Sequence, residues 1–453
     1  MMELTTEEQE RIHAIQRVLE GDHPVFIYQD LHRSKKWFNK WLNRYHTGNV
    51  YWYKDLSKRP HNIRKKTDTR IETAVVRIRT SLMDGSDEST RYSFVGAEAI
   101  QFQMEKLGYE PSDVPSQSTI KRVIKRNKLR VNKKERYKRV KSKGRHTIFH
   151  PDCIDEMHVL DIVGQRHIKG FGSINSIHLK DVIGRHVAGY QYVEKSMDNV
   201  MGFLLNYWRS NPIPRYLQVD NGMSFAGDYI HLRSFSRFVR LCLYVGIGVI
   251  FIAPAKPWMN GTIEEFNKSF DRLFWQKETF TDLSDIRQKA AEFFSRQNKF
   301  YEWQMRKGKK SLESITPKHM LRTDFDINLE NVPLVAGKIH FIRQVDGTGM
   351  VSVLNERFSI GGAYIGDYIT AIIDTKEQSL EVLYRDEEMV VRSIKKFEYK
   401  IDETVYDLDD HISYSATLRK CSNPLGNLTD PHISNAFQHY NLFSPVETKG
   451  CVP

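Results

Sequence analysis

The sequence predicts a multidomain chain with all-α units at its N-terminal end, a central α/β domain built on a mixed sheet, and a small β-barrel toward the C-terminus. Three observations predict it. Up to about residue 131, apolar residues recur every three or four positions, the spacing of amphipathic helices. Between about 150 and 325, apolar strand-like runs alternate with helical segments, which gives a sheet covered by helices. From about 334 the apolar period falls to two, with glycines separating short runs. At 453 residues the chain is long enough to bury several cores.

Charge follows the same boundaries. The net charge is +12, yet residues 1–150 hold 32 Lys and Arg against 18 Asp and Glu, while the rest holds 36 against 38. An evenly solvated basic surface would spread the excess; confinement to the N-terminal third suits a nucleic-acid-binding region. Four scattered cysteines (Cys153, Cys242, Cys421 and Cys451) have no metal-ligand spacing and no disulfide framework, which suits a reducing cytoplasm. The acidic, polar start Met1-Met2-Glu3-Leu4 does not read as a signal peptide, and no run of residues reads as a membrane span.

The first unit, 1–50, reads as three helices. Thr5 and Thr6 before Glu7-Glu8 make a helix cap, and Ile12, Ile15, Val18 and Leu19 follow at helical spacing. Pro24 starts a second helix. Ser34 caps a third, with Trp37, Phe38 and Trp41 inside and Lys35, Lys36, Lys40 and Arg44 outside. Three short helices ending in a basic one resemble a helix-turn-helix, whose last helix enters the DNA major groove. Residues 51–70 are a basic linker in which Arg59, Arg64 and Lys65 could follow a phosphate backbone. A second unit, 71–131, resembles another helix-turn-helix or winged-helix DNA-binding unit, its last helix carrying Lys121, Arg122, Lys125 and Arg126. A second basic linker, 132–149, leads into the α/β domain.

Within 150–325 three carboxylates stand out. Asp161 interrupts the apolar strand Met157-His158-Val159-Leu160, and Asp220 ends the strand Tyr216-Leu217-Gln218-Val219 before a turn. Glu264 lies in the first turn of a helix that follows Asn260-Gly261, itself preceded by the apolar run 248–253. Taken singly, each has an ordinary role as a turn cap or a complement to a helix dipole. Together, at the ends of strands in an α/β sheet, they can converge on hard divalent cations. Lys268, one turn after Glu264, could bind a nearby phosphate. Asp181 reads as a surface or hairpin residue, and His158 and His178 as residues of the pleat surface.

The order Asp161, then Val-Asp220-Asn-Gly, then Pro-x-x-Asn-Gly-x-Ile-Glu264-x-Phe resembles the retroviral-type integrase core shared by the DDE transposases of bacterial insertion sequences. The resemblance implies an RNase H-like fold. It also implies that Asp161, Asp220 and Glu264 hold two Mg²⁺ ions, with Mn²⁺ able to substitute, and that the chain cuts and joins double-stranded DNA. Ile263 before the acid favours Glu264 over Glu265. The Asp220-to-Glu264 interval exceeds the family's usual spacing by roughly two helical turns, a surplus expected to lengthen a helix within 228–246.

Segment 311–320 resembles the close of such a core, and the barrel at 334–400 is similar to those that follow integrase cores. Residues 401–453 read as a tail. Joining two DNA ends implies a homodimer or larger assembly, and an accessory ATPase stays open. A catalytically idle DNA-binding regulator or targeting subunit with the same core is the alternative, and a non-transposing RNase H-like nuclease a third reading.

Overall fold

The computed structural model describes residues 4–56, 67–85, 87–131, 149, 151–168, 172–227, 231–308, 319–386, 388, 390–407 and 414–416. Both basic linkers lie largely outside these residues, and with them Arg59, Arg64 and Lys65. So does the segment 311–318 and most of the tail. The chain divides into two compact units, Met1–Thr67 and Asp68–Pro453.

The first unit is the expected helical triplet: α1 (Thr6–Leu19), α2 (Pro24–Asp30) and α3 (Lys35–His46). Thr5 and Glu8 form a reciprocal capping box, and Pro24 occupies the first turn of α2, where a missing N–H costs nothing. The Ser34 hydroxyl accepts from the Trp37 amide at 3.1 Å and starts α3. Ala14, Ile27 and Phe38 form the buried centre.

The second unit begins with α4 (Thr69–Asp84), α5 (Ala97–Lys106) and α6 (Gln117–Arg126). There follow β1 (Met157–Ile168), β2 (Gly172–Asp181), β3 (Val187–Tyr192), α7 (Met197–Ser210), β4 (Tyr216–Val219), α8 (Met223–Ala226), α9 (Arg237–Tyr244) and β5 (Gly248–Phe251). Then come α10 (Gly261–Phe270), α11 (Leu283–Lys307), β6 (His319–Leu321), β7 (Lys338–Gln344), β8 (Met350–Val353) and β9 (Glu356–Ser359). The series ends with β10 (Tyr368–Asp374), β11 (Ser379–Arg385), β12 (Val391–Glu398) and β13 (Tyr414–Ala416).

One sheet organises this unit, in the order β12-β11-β10-β7-β5-β4-β1-β2-β3. β1, β2 and β3 are antiparallel neighbours, whereas β4 pairs parallel with β1 and β5 parallel with β4. The segment 3-2-1-4-5, with helices in the crossovers, is a mixed sheet consistent with the RNase H-like expectation. Period-two alternation buries both faces. On β4 and β5, Leu217, Val219, Val249 and Phe251 enter one core, while Tyr216 and Ile250 enter the other.

Three expectations change. The C-terminal strands do not stand apart as a closed barrel: β7 pairs parallel with β5, and β10, β11 and β12 continue the same sheet outward. The β8–β9 hairpin buries Val351, Val353 and Phe358 in the main core without closing that sheet by hydrogen bonds among the described residues. Alternation reveals strands but not their partners, so a sheet extension and a barrel read alike. The surplus between Asp220 and Glu264 does not give a long helix among the described residues either; the helices in that interval before β5 are α8 with 4 residues and α9 with 8. Lastly, Asp181, His158 and His178 are all buried. Asp181 turns back to accept the Gly184 amide at 2.7 Å, and a Cβ on Gly184 would lie 2.3 Å from that carboxylate, which explains the glycine.

The helices α4–α6 share an apolar cluster with α10 and α11: Val75, Ile100, Ile120 and Val123 join Phe266, Phe270, Phe274 and Phe293. Gln297 donates to the Tyr92 carbonyl at 2.7 Å and Trp303 to Glu105 at 2.6 Å, so α11 is fastened to this helical unit by polar contacts too. Among the described residues no helix is long and apolar enough to cross a membrane.

Candidate active site

Strand β1 runs buried from Met157 to Leu160 and reaches the rim of the core at Asp161. The parallel register pairs Val159 with Gln218. Carried two residues further, it brings Asp161 level with Asp220, the first residue beyond β4. The Asp220 carboxylate accepts from the Gly222 amide at 2.9 Å, which fixes the turn.

The helix bearing Glu264 is anchored from beneath. Pro257–Asn260 forms a 3-10 turn, and the buried Asn260 accepts from Gln218 of β4 at 3.1 Å. Gln218 also donates to the Met259 carbonyl at 3.3 Å. A buried amide in an otherwise apolar strand thus sets where α10 begins.

Asn267, one turn after Glu264, donates from Nδ2 to Oδ2 of Asp161 at 2.6 Å. Its Oδ1 lies 2.7 Å from Nδ1 of His178. Burial pushes the Asp161 carboxyl up to about 6; the charges of Asp220 and, more weakly, Glu264 push the same way, against the Asn267 bond. Asp161 on β1 therefore feels the negative charges of Asp220, just beyond β4, and Glu264 on α10. Glu264 and Glu265 diverge: the charge of Glu264 acts on Asp161, whereas that of Glu265 acts on Lys180, in a groove also lined by Lys121, Arg185 and Thr262.

Hard oxygen donors, one of them desolvated and crowded by like charge, suit a hard divalent cation, which would relieve that repulsion. Asp161, Asp220 and Glu264 fit such a group by chemistry. They are not gathered into a finished cage: among the described residues no group of three His, Cys, Asp or Glu side chains is close enough to hold an ion.

The basic residues divide into free and engaged. Lys35, Lys36 and Lys40 are exposed on α3, Lys40 with its ammonium 4.6 Å from the Trp41 ring centre. Arg44 is half-buried, stacked on Trp41 at 4.7 Å and donating to the Lys54 carbonyl at 3.1 Å. On α6, Lys121, Arg122, Lys125 and Arg126 are all exposed. Arg122 bonds back to Ser118 and Thr119, and Arg126 pairs with Glu72 at 2.8 Å. Lys268, with its side chain 78% exposed, stands 3.6 Å from Glu264.

Asn267 and His178 escape a reading of the sequence. The available signal is spacing: Asn267 lies three residues after Glu264, on the same helical face, and a histidine interrupts the apolar strand opposite Asp161.

Residues 245–317, which carry β5, α10 and α11, match the family model described as integrase core domain. The chain thus carries a core of the integrase and transposase type. In structure it is similar to the catalytic core domain of BIV integrase, with a TM-score of 0.24 and 16% sequence identity, over 31% of this chain and 81% of that one. A comparison with curated proteins found no match.

Proposed function

We propose that the chain is a DDE transposase or integrase that binds the ends of a mobile DNA element, cleaves there and joins the freed end to target DNA. The observation that carries this reading is geometric: the parallel register sets Asp161 level with Asp220, and Asn267 of the helix that bears Glu264 bonds to Asp161, beside a segment, 245–317, that matches an integrase core. In the first step a water oxygen attacks the phosphorus at the element's end and the P–O3′ bond breaks, leaving a 3′-hydroxyl. That hydroxyl then attacks a target phosphorus, and the target's own 3′-oxygen leaves.

Bound Mg²⁺, two ions by the family's chemistry and replaceable by Mn²⁺, would polarise the phosphate and neutralise its charge. The chain itself supplies position. Asp161, Asp220 and Glu264 would hold the ions, Asn267 would orient Asp161, and Lys268, 3.6 Å from Glu264, would take a phosphate near that acid. The exposed lysines of α3 and the basic face of α6 would contact the element's end, with Arg59, Arg64 and Lys65 following the backbone between them. A homodimer or larger assembly is needed to hold two ends, and an accessory ATPase is compatible with this scheme.

The direct experiment presents purified protein with a labelled duplex of the element's terminal sequence, a target plasmid, and Mg²⁺ or EDTA. Joined product that requires Mg²⁺ and disappears on Asp220→Asn is the expected result. Product retained in Asp161→Asn and Asp220→Asn would overturn the assignment. The alternative, a regulator or targeting subunit with an idle core, is opposed by the three acids being kept together in one domain. It predicts end binding with no product under any divalent metal.

A further inference from the structure

On one face of strand β2 the buried polar side chains of His178 and Lys180 both grip α10. His178 is 0% exposed and lies directly opposite Asp161 in the antiparallel register. Its ring is enclosed by Phe266, Phe270 and Phe294, with centroids 5.3, 4.5 and 5.9 Å away. Lys180 donates to the Thr262 carbonyl at 3.2 Å, in the first turn of the same helix.

The donors and acceptors allow one arrangement. When ionised, as a cation-binding carboxylate must be, Asp161 only accepts, so Asn267 must turn its NH₂ toward it, at 2.6 Å. That leaves the Asn267 carbonyl facing His178, which must donate from Nδ1 across 2.7 Å. Among the described residues His178 Nε2 has no hydrogen-bond partner, so the ring's polar engagement there is with Asn267. A buried imidazole is costly to desolvate, and an aromatic or aliphatic residue would fill this apolar cage without that cost.

We infer that His178 is a positioning residue: through Asn267 it fixes the orientation of the Asp161 carboxylate toward a divalent cation, with Lys180 holding the start of α10 in place. This rests on the proposed role of Asp161. Partners of this kind typically change metal affinity or activity about 10–100-fold when removed.

The test measures Mn²⁺ binding to the full chain without DNA, by electron paramagnetic resonance, beside the Mg²⁺ dependence of strand transfer. His178→Phe keeps the ring and removes the donor; Asn267→Ala removes the bridge at a half-buried helical position; His178→Asn restores a donor near Nδ1. The expected result is Mn²⁺ affinity lower by about tenfold in the first two, the Mg²⁺ requirement of the reaction shifted upward equally, and recovery in His178→Asn. Thermal unfolding identifies variants that are folded, and Asn267→Ala carries the test if His178→Phe is not. Affinity lost in Asp161→Asn but unchanged in both His178→Phe and Asn267→Ala overturns this inference alone. Mn²⁺ that does not bind, or binds equally after Asp161→Asn, overturns the reading of Asp161 as well.

Discussion

Asp161 is held where its charge is unwelcome, and that has a consequence for stability. Burial and two negative neighbours raise its pKa from 3.8 to about 6. The folded chain therefore binds this proton more tightly than the unfolded chain, and the stability it contributes at low pH is lost as pH rises through about 6. In EDTA at pH 7.5, Asp161→Asn should raise stability by about 1–3 kcal/mol, seen as a melting temperature a few degrees higher by calorimetry. The gain should shrink at pH 5, where the wild-type carboxyl is largely protonated. Mn²⁺ should narrow the gap from the other side by stabilising the wild type. A lower melting temperature for Asp161→Asn would contradict the electrostatic account. Arg44 makes the opposite case among basic residues. Its stacking on Trp41 and its bond to the Lys54 carbonyl predict that Arg44→Ala destabilises the N-terminal unit by about 1–2 kcal/mol, whereas Lys36→Ala leaves its melting curve unchanged.

At the level of elements, the site depends on three neighbouring strands and the helices lying over them. Gly189 of β3 faces His178 of β2, and a Cβ there would meet Phe294 at 2.4 Å and the Ile177 carbonyl at 2.7 Å. Gly189→Ala should therefore cost about 1–3 kcal/mol through forced repacking of α11 against the sheet, measurable by denaturant unfolding. Helix α6 offers a separable test. Lys121 and Lys125 are exposed on one basic face, so replacing either with Ala should weaken DNA binding uniformly across sequences and reduce the salt slope by about one. An unchanged slope for both would remove α6 from the DNA interface. Much of this level was legible from local chemistry. Thr5, Pro24, Ser34 and the Ile71–Leu82 spacing announced their helices because caps and period act within a turn or two. The burial of His158 and His178 was not legible, since it depends on helices far away in sequence that pack over β1 and β2.

For the whole molecule, the period of two after residue 334 identified strands correctly but said nothing of what they pair with. β7 hydrogen-bonds to β5, so the C-terminal strands complete the sheet that carries the site. Removing residues 334–453 should leave β5 as an apolar edge and give insoluble protein. A chain beginning at residue 68 should instead unfold cooperatively, because the contacts of Met1–Thr67 form a compact unit of their own. The reverse outcome in solubility and calorimetry would return the C-terminal strands to the status of an independent module. The three candidate acids stood out in the sequence because each breaks an apolar pattern; Asp220 follows the end of β4 and Glu264 opens α10, whereas Asp161 proves to lie within the longer β1 rather than at a strand end. The extent of their support, from Gln218, Asn260, Asn267 and His178, became visible only in three dimensions.

Asp161, His178 and Gly189 lie side by side on three consecutive strands, a single rank running across the sheet. Because side chains alternate strictly, a hairpin slipped by one residue would turn His178 away from Asn267 and bring a Cβ into the space that glycine leaves for Phe294. A misaligned sheet would then have neither a filled core nor a supported carboxylate. The rank acts as an alignment mark: a chain whose hairpins close out of step cannot assemble the centre on which cutting DNA would depend.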